Sequence, residues 1–285
     1  ATRTTGEGVS TWTYDTAING IGKLVSIAGP DGYQQSHTYD TLGRPSRTTT
    51  VIDAQPYAFT SSYDSFGRLS TTTYPQTSFA VRRVYNERGY LVELRNSGNN
   101  ALYWQANTTD ELGHLTQETL GNNLVSRRTY DALKGTLREI RTTGSAGTAQ
   151  DLSYEFDILG NLLTRYDALK NLGEAFSYDT LNRLTDVGGP ASKTFQYDVI
   201  GNLSWKSDVG TYAYGAGDAG PHAVTSTNGV VNDSYTYDPN GNMLTGAGRN
   251  ISYTSFNKPS QITRGGTSVT FTYGPDFSRI KKVTP

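Results

Sequence analysis

The sequence has 285 residues, with 25 lysines and arginines against 26 acidic residues, so its net charge of −1 provides no basic field for nucleic-acid binding. It has no cysteine, which excludes disulfides, thiolate metal sites and a cysteine nucleophile. No apolar run approaches the roughly 18 residues of a membrane span, and residues 1–10 lack the features of a signal peptide. The length and the many aromatic and β-branched residues are sufficient for a sheet-rich protein to bury a core, and length alone would allow two domains.

Aromatic residues alternate with polar ones in short segments along the whole chain. The first segment places Trp12 and Tyr14 on either side of Thr13. The same alternation returns at Tyr154 and Phe156, Phe176 and Tyr178, Phe195 and Tyr197, Tyr235 and Tyr237, and Phe271 and Tyr273. Since side chains alternate between the two faces of a strand, these segments predict β-strands with one aromatic and one polar face. Helical periodicity is absent over any useful length.

A turn motif follows these aromatic strands, and YDPNGNML from Tyr237 shows its chemistry. Asp238 occupies the first position of a four-residue turn, where its carboxylate can accept a backbone N–H, and Pro239 presets φ at the second. Gly241 closes the turn, and glycine tolerates the positive φ of the bulge that commonly follows. The motif therefore predicts a β-hairpin with a type I turn.

The motif recurs with its variable letters changed. In chain order it reads YDTLGRP from Tyr39, YDSFGRL from Tyr63, YNERGYL from Tyr85, TDELGHL from Thr109, FDILGNL from Phe156, YDTLNRL from Tyr178 and YDVIGNL from Tyr197. Degenerate copies are YDALKGTL from Tyr130, YDALKNL from Tyr166 and YTSFNKP from Tyr253. Simple Gly/Asn-rich turns, such as SGNN from Ser97 and LGNN from Leu120, separate the copies. Two classes of turn therefore alternate.

We assign a structural role in these turns to the recurring Tyr, Asp and Gly residues. They are Tyr39, Asp40, Gly43, Tyr63, Asp64, Gly67, Tyr85, Gly89, Tyr178, Asp179, Tyr197, Asp198, Gly201, Tyr237, Asp238 and Gly241. A period of about 20 to 25 residues is typical of repeat architectures, with one hairpin per repeat. We expect residues 1–285 to form a single all-β domain of about eleven or twelve hairpins and about 22 to 24 strands, without a second domain.

The Tyr-Asp-x-x-Gly-Arg/Asn-Leu pattern resembles the YD repeat of RHS proteins, from Tyr14 to about Tyr273. This family includes bacterial polymorphic toxins, shell subunits of ABC-type toxin complexes, wall-associated proteins and teneurins. The segment GPHAVTSTNG from Gly220 is similar to one often found near the end of bacterial RHS arrays. The resemblance implies a β-hairpin solenoid, in which a long antiparallel sheet spirals into part of a hollow shell.

The same resemblance implies a function. The chain would be a non-enzymatic shell segment that encloses or scaffolds a polypeptide toxin cargo. Its partners would be that cargo and the remainder of its own longer chain, and its location would be secreted or cell-surface, in bacteria. The stretch from Tyr273 is similar to the junction before the family's self-cleaving segment. The paired Asp-Pro-x-Gly-Arg and Asp-Pro-x-Gly-Leu motifs are absent, so neither protease nor toxin activity is expected.

Candidates for chemistry are few. The turn aspartates could be considered for acid/base catalysis or calcium binding, but the first turn position explains them. His37, His114 and His222 have no neighbours at metal-ligand spacing. The segment GAGDAGP from Gly215 lacks the Lys-Ser/Thr pair of a phosphate-binding loop, and no G-x-S-x-G motif occurs. We therefore predict no catalytic residue, no cofactor and no metal.

The 20 tyrosines leave a second function open. Exposed Tyr and Trp rings can stack on sugars, so the chain could be a secreted adhesion or carbohydrate-binding module that recognises cell-surface glycans. Alternatively, the tyrosines form cross-strand ladders with the leucines that follow the turns. These leucines are Leu69, Leu91, Leu162, Leu184 and Leu203. Tyrosines that recur once per hairpin favour the ladder.

Overall fold

A computed structural model describes all 285 residues, and nearly all regular structure in it is antiparallel β-strand. The one helical segment is a 3-10 turn at Pro30–Gly32. None of the chain forms a helix with the length and apolar character needed to cross a bilayer. The all-β prediction is confirmed.

The chain forms two compact units. Unit 1 contains residues Ala1–Ser78 and Val209–Pro285, and unit 2 contains Phe79–Asp208. The single continuous domain stays a prediction. The 28 strands exceed the predicted number, because turns without a recognisable motif also carry hairpins.

The strands of both units follow the chain in order. The first segment of unit 1 contains β1 (Thr2–Thr5), β2 (Gly8–Tyr14), β3 (Leu24–Ala28), β4 (Gln34–Tyr39), β5 (Pro45–Ile52), β6 (Gln55–Tyr63) and β7 (Leu69–Thr73). Unit 2 contains β8 (Ala80–Tyr85), β9 (Leu91–Asn96), β10 (Leu102–Thr109), β11 (Leu115–Leu120), β12 (Val125–Tyr130), β13 (Leu137–Gly144), β14 (Gly147–Phe156), β15 (Leu162–Asp167), β16 (Leu172–Tyr178), β17 (Leu184–Gly188), β18 (Lys193–Tyr197) and β19 (Leu203–Lys206). The second segment of unit 1 contains β20 (Gly210–Tyr214), β21 (Val224–Gly229), β22 (Asp233–Ser234), β23 (Thr236–Tyr237), β24 (Met243–Gly246), β25 (Arg249–Tyr253), β26 (Pro259–Arg264), β27 (Thr267–Tyr273) and β28 (Arg279–Val283).

Most consecutive strands pair antiparallel, so that each unit is built from hairpins; β22 and β23 belong to different sheets. In unit 2, for example, β13 pairs with β12 on one side and with β14 on the other. A bulge accompanies the motif turns. Thr38 pairs with Arg47 and Tyr39 with Pro45, which leaves Ser46 as the extra residue. The same shift occurs next to the motif tyrosine in the following hairpins of both units.

The two classes of turn lie at opposite ends of the strands. We call the end with the Tyr-Asp turns the motif rim; in unit 2 its turns are residues 86–90, 110–114, 131–136, 157–161, 179–183 and 198–202. We call the other end the plain rim; it carries turns such as 6–7, 29–33 and 53–54 in unit 1 and 121–124 and 145–146 in unit 2. Each repeat of two strands therefore contributes one turn to the motif rim and one turn to the plain rim.

One predicted motif copy lies at the wrong end. Tyr166 and Asp167 end β15, and the turn after them leads to β16 at the plain rim. YDALKNL is therefore a simple turn, and the residue with positive φ is Asn171, not Lys170. Asp167 comes one strand length after the motif turn at Asp157, so only a plain-rim turn can form there.

The predicted alternation of faces is present. In β16, Phe176 and Tyr178 are half-buried and Ser177 is exposed, and in β18 the same holds for Phe195 and Tyr197 around Gln196. A packed core, however, is nearly absent. Among the large hydrophobic residues, Tyr33 and Ile251 are the most buried, each with 8% of its surface exposed, and no large side chain is fully buried. Cross-strand contacts within a layer therefore hold this fold together more than a packed interior does.

Candidate functional site

Each motif turn is organised by the aspartate at its first position. Oδ1 of Asp40 accepts the N–H groups of Leu42 and Arg44, both at 2.9 Å. The N–H of Gly43 donates to the Asp40 carbonyl at 2.9 Å, and Gly43 has a φ of 72°. The same pair of side-chain hydrogen bonds forms at Asp64, Asp110, Asp157, Asp179, Asp198 and Asp238. Asn86 makes them in the turn after Tyr85.

The second carboxylate oxygen pairs with the side chain four residues later. Arg44 Nε lies 2.7 Å from Asp40 Oδ2, and Arg68 and Arg183 repeat this contact with their aspartates. Asparagine takes the arginine's place in the turns of Asp157, Asp198 and Asp238, and histidine does so in that of Asp110. Sequence reasoning missed this pairing. The signal was available, since Arg, Asn or His recurs at a fixed distance from the aspartate.

These contacts set the protonation of the turn carboxyls. The backbone N–H of Arg44 is the largest influence on Asp40 and lowers its pKa, and the Arg44 side chain lowers it further. At Asp64, desolvation raises the pKa, but hydrogen bonds from Arg68 and Phe66 outweigh it and the pKa is lowered. Carboxylates with depressed pKa values and filled acceptor positions are poor general bases. The turn geometry accounts for the aspartates without catalysis.

The motif tyrosines connect each turn to the one before it. Tyr63 Oη donates to the carbonyl of Pro45, the residue directly after the preceding turn, at 2.8 Å. The corresponding bonds join Tyr39 to Leu24, Tyr178 to Leu162, Tyr197 to Leu184 and Tyr237 to Val224. The cation of the preceding turn also covers the ring: the Arg44 guanidinium lies 4.2 Å from the Tyr63 ring centroid, and Arg183 lies 4.6 Å from that of Tyr197. In these turns, Tyr, Asp and Arg side chains therefore link one hairpin to the next.

The remaining predicted motif residues lie in the same turns. Tyr85 ends β8 opposite Leu91. Gly67, Gly89, Gly201 and Gly241 have φ values of 81°, 86°, 92° and 83°, in the region that favours glycine. Tyr and Leu are cross-strand neighbours next to several of these turns, as they are at Tyr63 and Leu69, Tyr178 and Leu184, and Tyr197 and Leu203.

The three histidines lie apart. Nδ1 of His37 lies 3.1 Å from Thr48 Oγ1, and burial lowers the pKa of His37. His114 pairs with Asp110 and stacks on the Tyr130 ring at 4.5 Å. No group of three or more His, Asp or Glu residues could hold a metal ion.

Unit 1 contains a contact between its two segments, and no sequence pattern indicates it. At the plain rim, Glu7 in the β1–β2 turn accepts the N–H and the hydroxyl of Ser255, each at 2.6 Å, across 248 residues of chain. Ser255 belongs to the motif-rim turn 254–258. Phe256 in the same turn stacks on Phe277 at 4.2 Å, and the Arg3 guanidinium lies 4.0 Å from the Phe277 ring centroid. A plain rim and a motif rim therefore bind each other directly.

The fold matches that of Tc toxin components. The chain aligns with the crystal structure of TcdB2-TccC3-Cdc42 at a TM-score of 0.74 and 17% identity, covering 99% of this chain and 19% of that one. The chain has the YD-repeat fold of RHS proteins. The Photorhabdus luminescens Tc holotoxin pore with a TccC3 mutation gives 0.70 and 16%, covering 99% and 18%. TcdB2-TccC3 without the hypervariable C-terminal region gives 0.67 and 17%, covering 99% and 19%.

The chain spans less than a fifth of the length of these structures. No protein-family model matches its sequence, and no curated protein does. The likeness is therefore one of fold, and it confirms the resemblance predicted from the Tyr-Asp motifs.

Proposed function

We propose that this chain is a non-catalytic wall segment of an RHS-repeat protein, which encloses or scaffolds a polypeptide. The observation that carries the proposal is a hairpin array held together by its turns and ladders with almost no buried core. Such a layer has two large faces, and no second layer of the same chain packs over either of them. The fold shared with the Tc toxin structures supports the same role.

The aromatic face is the one we assign to the polypeptide. Its rings are half-buried by neighbours on the same face, as Phe176, Tyr178 and Phe195 are, and remain partly accessible. Aromatic surface of this kind can hold unfolded segments of varied sequence, because apolar contact is not directional. The exposed face carries small polar residues such as Ser177 and Gln196. A partner on the aromatic face would also remove apolar surface from water.

Absence of catalysis belongs to the same proposal. The turn carboxylates are engaged by backbone and side-chain donors, and the histidines are dispersed. We further propose that the partners are a polypeptide cargo and further repeats of a longer chain, since the matched structures are several times longer. Secretion from a bacterium completes the proposal and is supported by the toxin complexes with this fold.

Glycan binding is the competing function. Most motif tyrosines donate their hydroxyl groups to backbone carbonyls, and their rings contact neighbouring cations, so little of them is available to a sugar. Tyr90, which is 67% exposed, is the most accessible tyrosine. A glycan array measures this alternative directly. If the chain binds a specific sugar and Tyr90→Ala abolishes that binding, the adhesion function would be favoured over the enclosing function.

Site-specific photo-crosslinking tests whether the aromatic face contacts an enclosed polypeptide. We would fuse a permanently unfolded reporter polypeptide after Pro285 and place a benzoylphenylalanine at Phe195 or, as the matched control, at Gln196 on the opposite face of the same strand. The proposal predicts crosslinks to the reporter from position 195 and few from position 196. Equal crosslinking from both positions, or none from either, would contradict it.

A further inference from the structure

The motif rim of unit 2 carries a row of exposed apolar side chains. They stand at the middle positions of successive turns, between the aspartate and the residue with positive φ. We call Leu112, Leu133, Ile158, Leu159, Leu181, Val199 and Ile200 the tip row. Leu133 is 97% exposed and Ile158 is 87% exposed. Turn function does not require these side chains to be apolar, because most residue types fit these positions.

The tip row is regular. Motif turns come at every second strand, so successive turns lie about 10 Å apart, and the five turns of the row extend over about 40 Å. Contiguous apolar surface at the edge of a soluble protein marks an interaction site. A partner for this row should therefore present a matching surface with the same repeat.

Unit 1 shows what covers such a turn. Phe256 occupies the position that Leu159 and Leu181 occupy in their turns, yet it is half-buried, and its ring packs on Phe277 and Tyr273 of the next hairpin. Its turn is covered by the plain rim of the first hairpin, where the Gly6 N–H donates to Ser255 Oγ at 3.1 Å and Glu7 binds Ser255.

Two further contacts join the same two segments of unit 1. Pro275 in the following motif-rim turn is buried, and a Cβ added to Gly29 at the plain rim would lie 2.7 Å from its ring. Beyond it, Lys281 Nζ pairs with Asp53 Oδ2 of the next plain-rim turn at 2.7 Å. Three successive plain-rim turns thus meet the last strands, two of them at motif-rim turns and the third at Lys281 within β28. The two turn-to-turn contacts match hairpin to hairpin.

We propose that the tip row of unit 2 binds the plain rim of a second copy of this chain in the same way. The second copy carries turns of the required kind, small and rich in Gly and Asn, at residues 97–100, 121–124 and 144–147. Their spacing equals that of the tip row because both follow the same strands. A lipid surface would offer no such spacing, and the tips are interrupted by charged residues such as Lys134 and Arg183.

The arrangement has a definite symmetry. The motif rim of one copy meets the plain rim of the next, so the contact is heterologous, and each added copy leaves one rim of each kind free. Association therefore increases with concentration and does not stop at a dimer. This inference goes beyond the proposed function, since it concerns the rims and not the faces of the sheet.

Sedimentation velocity of the 285-residue chain over a wide concentration range tests the proposal. The tip variant is L159D/L181D, and the matched control is S177D/Q196D, which adds the same charge to exposed positions on a sheet face. We expect concentration-dependent self-association of the wild type and the control, and at least about tenfold weaker association of the tip variant. Circular dichroism and thermal unfolding establish that both variants are folded.

Engineered cysteines report the geometry, because the chain has none of its own. Mixing Leu181→Cys with Ala146→Cys at the plain rim should give a mixed disulfide between copies faster than either variant alone gives a homodimer. The proposal is overturned if the wild type is monomeric at all concentrations, if the tip variant associates as strongly as the wild type, or if Leu181→Cys pairs mainly with itself. Binding of the tips to anionic lipid vesicles by a monomeric chain would overturn it in favour of a membrane. None of these outcomes affects the crosslinking test of the aromatic face.

Discussion

At the scale of single residues, the motif turn depends on one backbone conformation. Gly67 has a φ of 81°, and a Cβ added there would meet nothing closer than Arg44 Nη1 at 3.6 Å. Strain of the backbone, and not a clash, therefore selects glycine here. Asn182 and Asn257 replace glycine at the same position in two turns with φ values of 59° and 60°. Asparagine is the residue that tolerates this region best after glycine.

Gly67→Ala should lower the free energy of unfolding by about 1 to 2 kcal/mol, because alanine at positive φ is strained. Gly220→Ala is the matched control, since Gly220 has an ordinary φ and open space around it. It should change stability by less than about 0.5 kcal/mol or increase it slightly. Denaturant unfolding of both variants measures the difference. Equal effects would mean that positive φ does not select the turn glycine.

Asp64→Asn should weaken the turn at neutral pH and make little difference in acid. Asparagine can still accept the two backbone N–H groups, as Asn86 does, but it loses the ion pair with Arg68. The lowered pKa of Asp64 means that its ionised form stabilises the fold above the ordinary carboxyl pKa of about 3.9. That stabilisation is lost as the pH falls through the folded-state pKa. Thermal midpoints of wild type and variant should therefore converge on acidification, and a constant difference down to low pH would contradict the assignment.

At the scale of the hairpin, two interactions repeat from unit to unit. The bulge next to the motif tyrosine fixes the register of each hairpin, and the tyrosine hydroxyl binds the carbonyl after the preceding turn. The preceding Arg also lies over the ring. Neighbouring hairpins thus support one another directly, as expected of a repeat protein whose stability comes from nearest-neighbour contacts.

Tyr178→Phe should cost about 1 kcal/mol of unfolding free energy, because the Leu162 carbonyl loses its donor while the ring remains. Tyr14→Phe is the control: the Tyr14 side chain is 45% exposed, and water can satisfy its hydroxyl in both states. It should be neutral within about 0.5 kcal/mol. Thermal unfolding of the two variants side by side provides the measurement. A neutral Tyr178→Phe would show that the hydroxyl bond does not stabilise the hairpin array.

The local features of the hairpin could be read from the sequence because they depend on neighbouring residues. The alternation around Ser177 and the turn chemistry of Asp238 predicted strands, faces and turns. The YDALKNL copy was misassigned because its letters match the motif while its distance from Asp157 places it at the plain rim. The contact of Glu7 with Ser255 could not be predicted, since it depends on the path of the whole ribbon. The length of the chain permits a core, but length alone does not determine how many layers a sheet forms.

At the scale of the whole molecule, the contact within unit 1 fastens its two segments. Glu7→Ala should increase hydrogen exchange in β1, β2 and the turn at residues 254–258, because both Ser255 hydrogen bonds are lost. Glu87→Ala in an exposed turn of unit 2 is the control and should leave exchange at those sites unchanged. Mass spectrometry of peptic fragments resolves both regions. Unchanged exchange in Glu7→Ala would show that other contacts alone fasten the segments.

Protection of a polypeptide by the repeats tests the central claim most directly. The measurement is the rate at which a protease cuts an unfolded reporter fused after Pro285, in the wild-type fusion, in Tyr197→Asp, in the control Gln196→Asp, and in an unfused mixture. Tyr197→Asp removes the hydroxyl bond to Leu184 and the ring under Arg183, whereas Gln196 lies on the exposed face. A wall predicts slow cleavage in the wild type and in Gln196→Asp, and fast cleavage in Tyr197→Asp and in the mixture. Cleavage at the same rate in all four would contradict it.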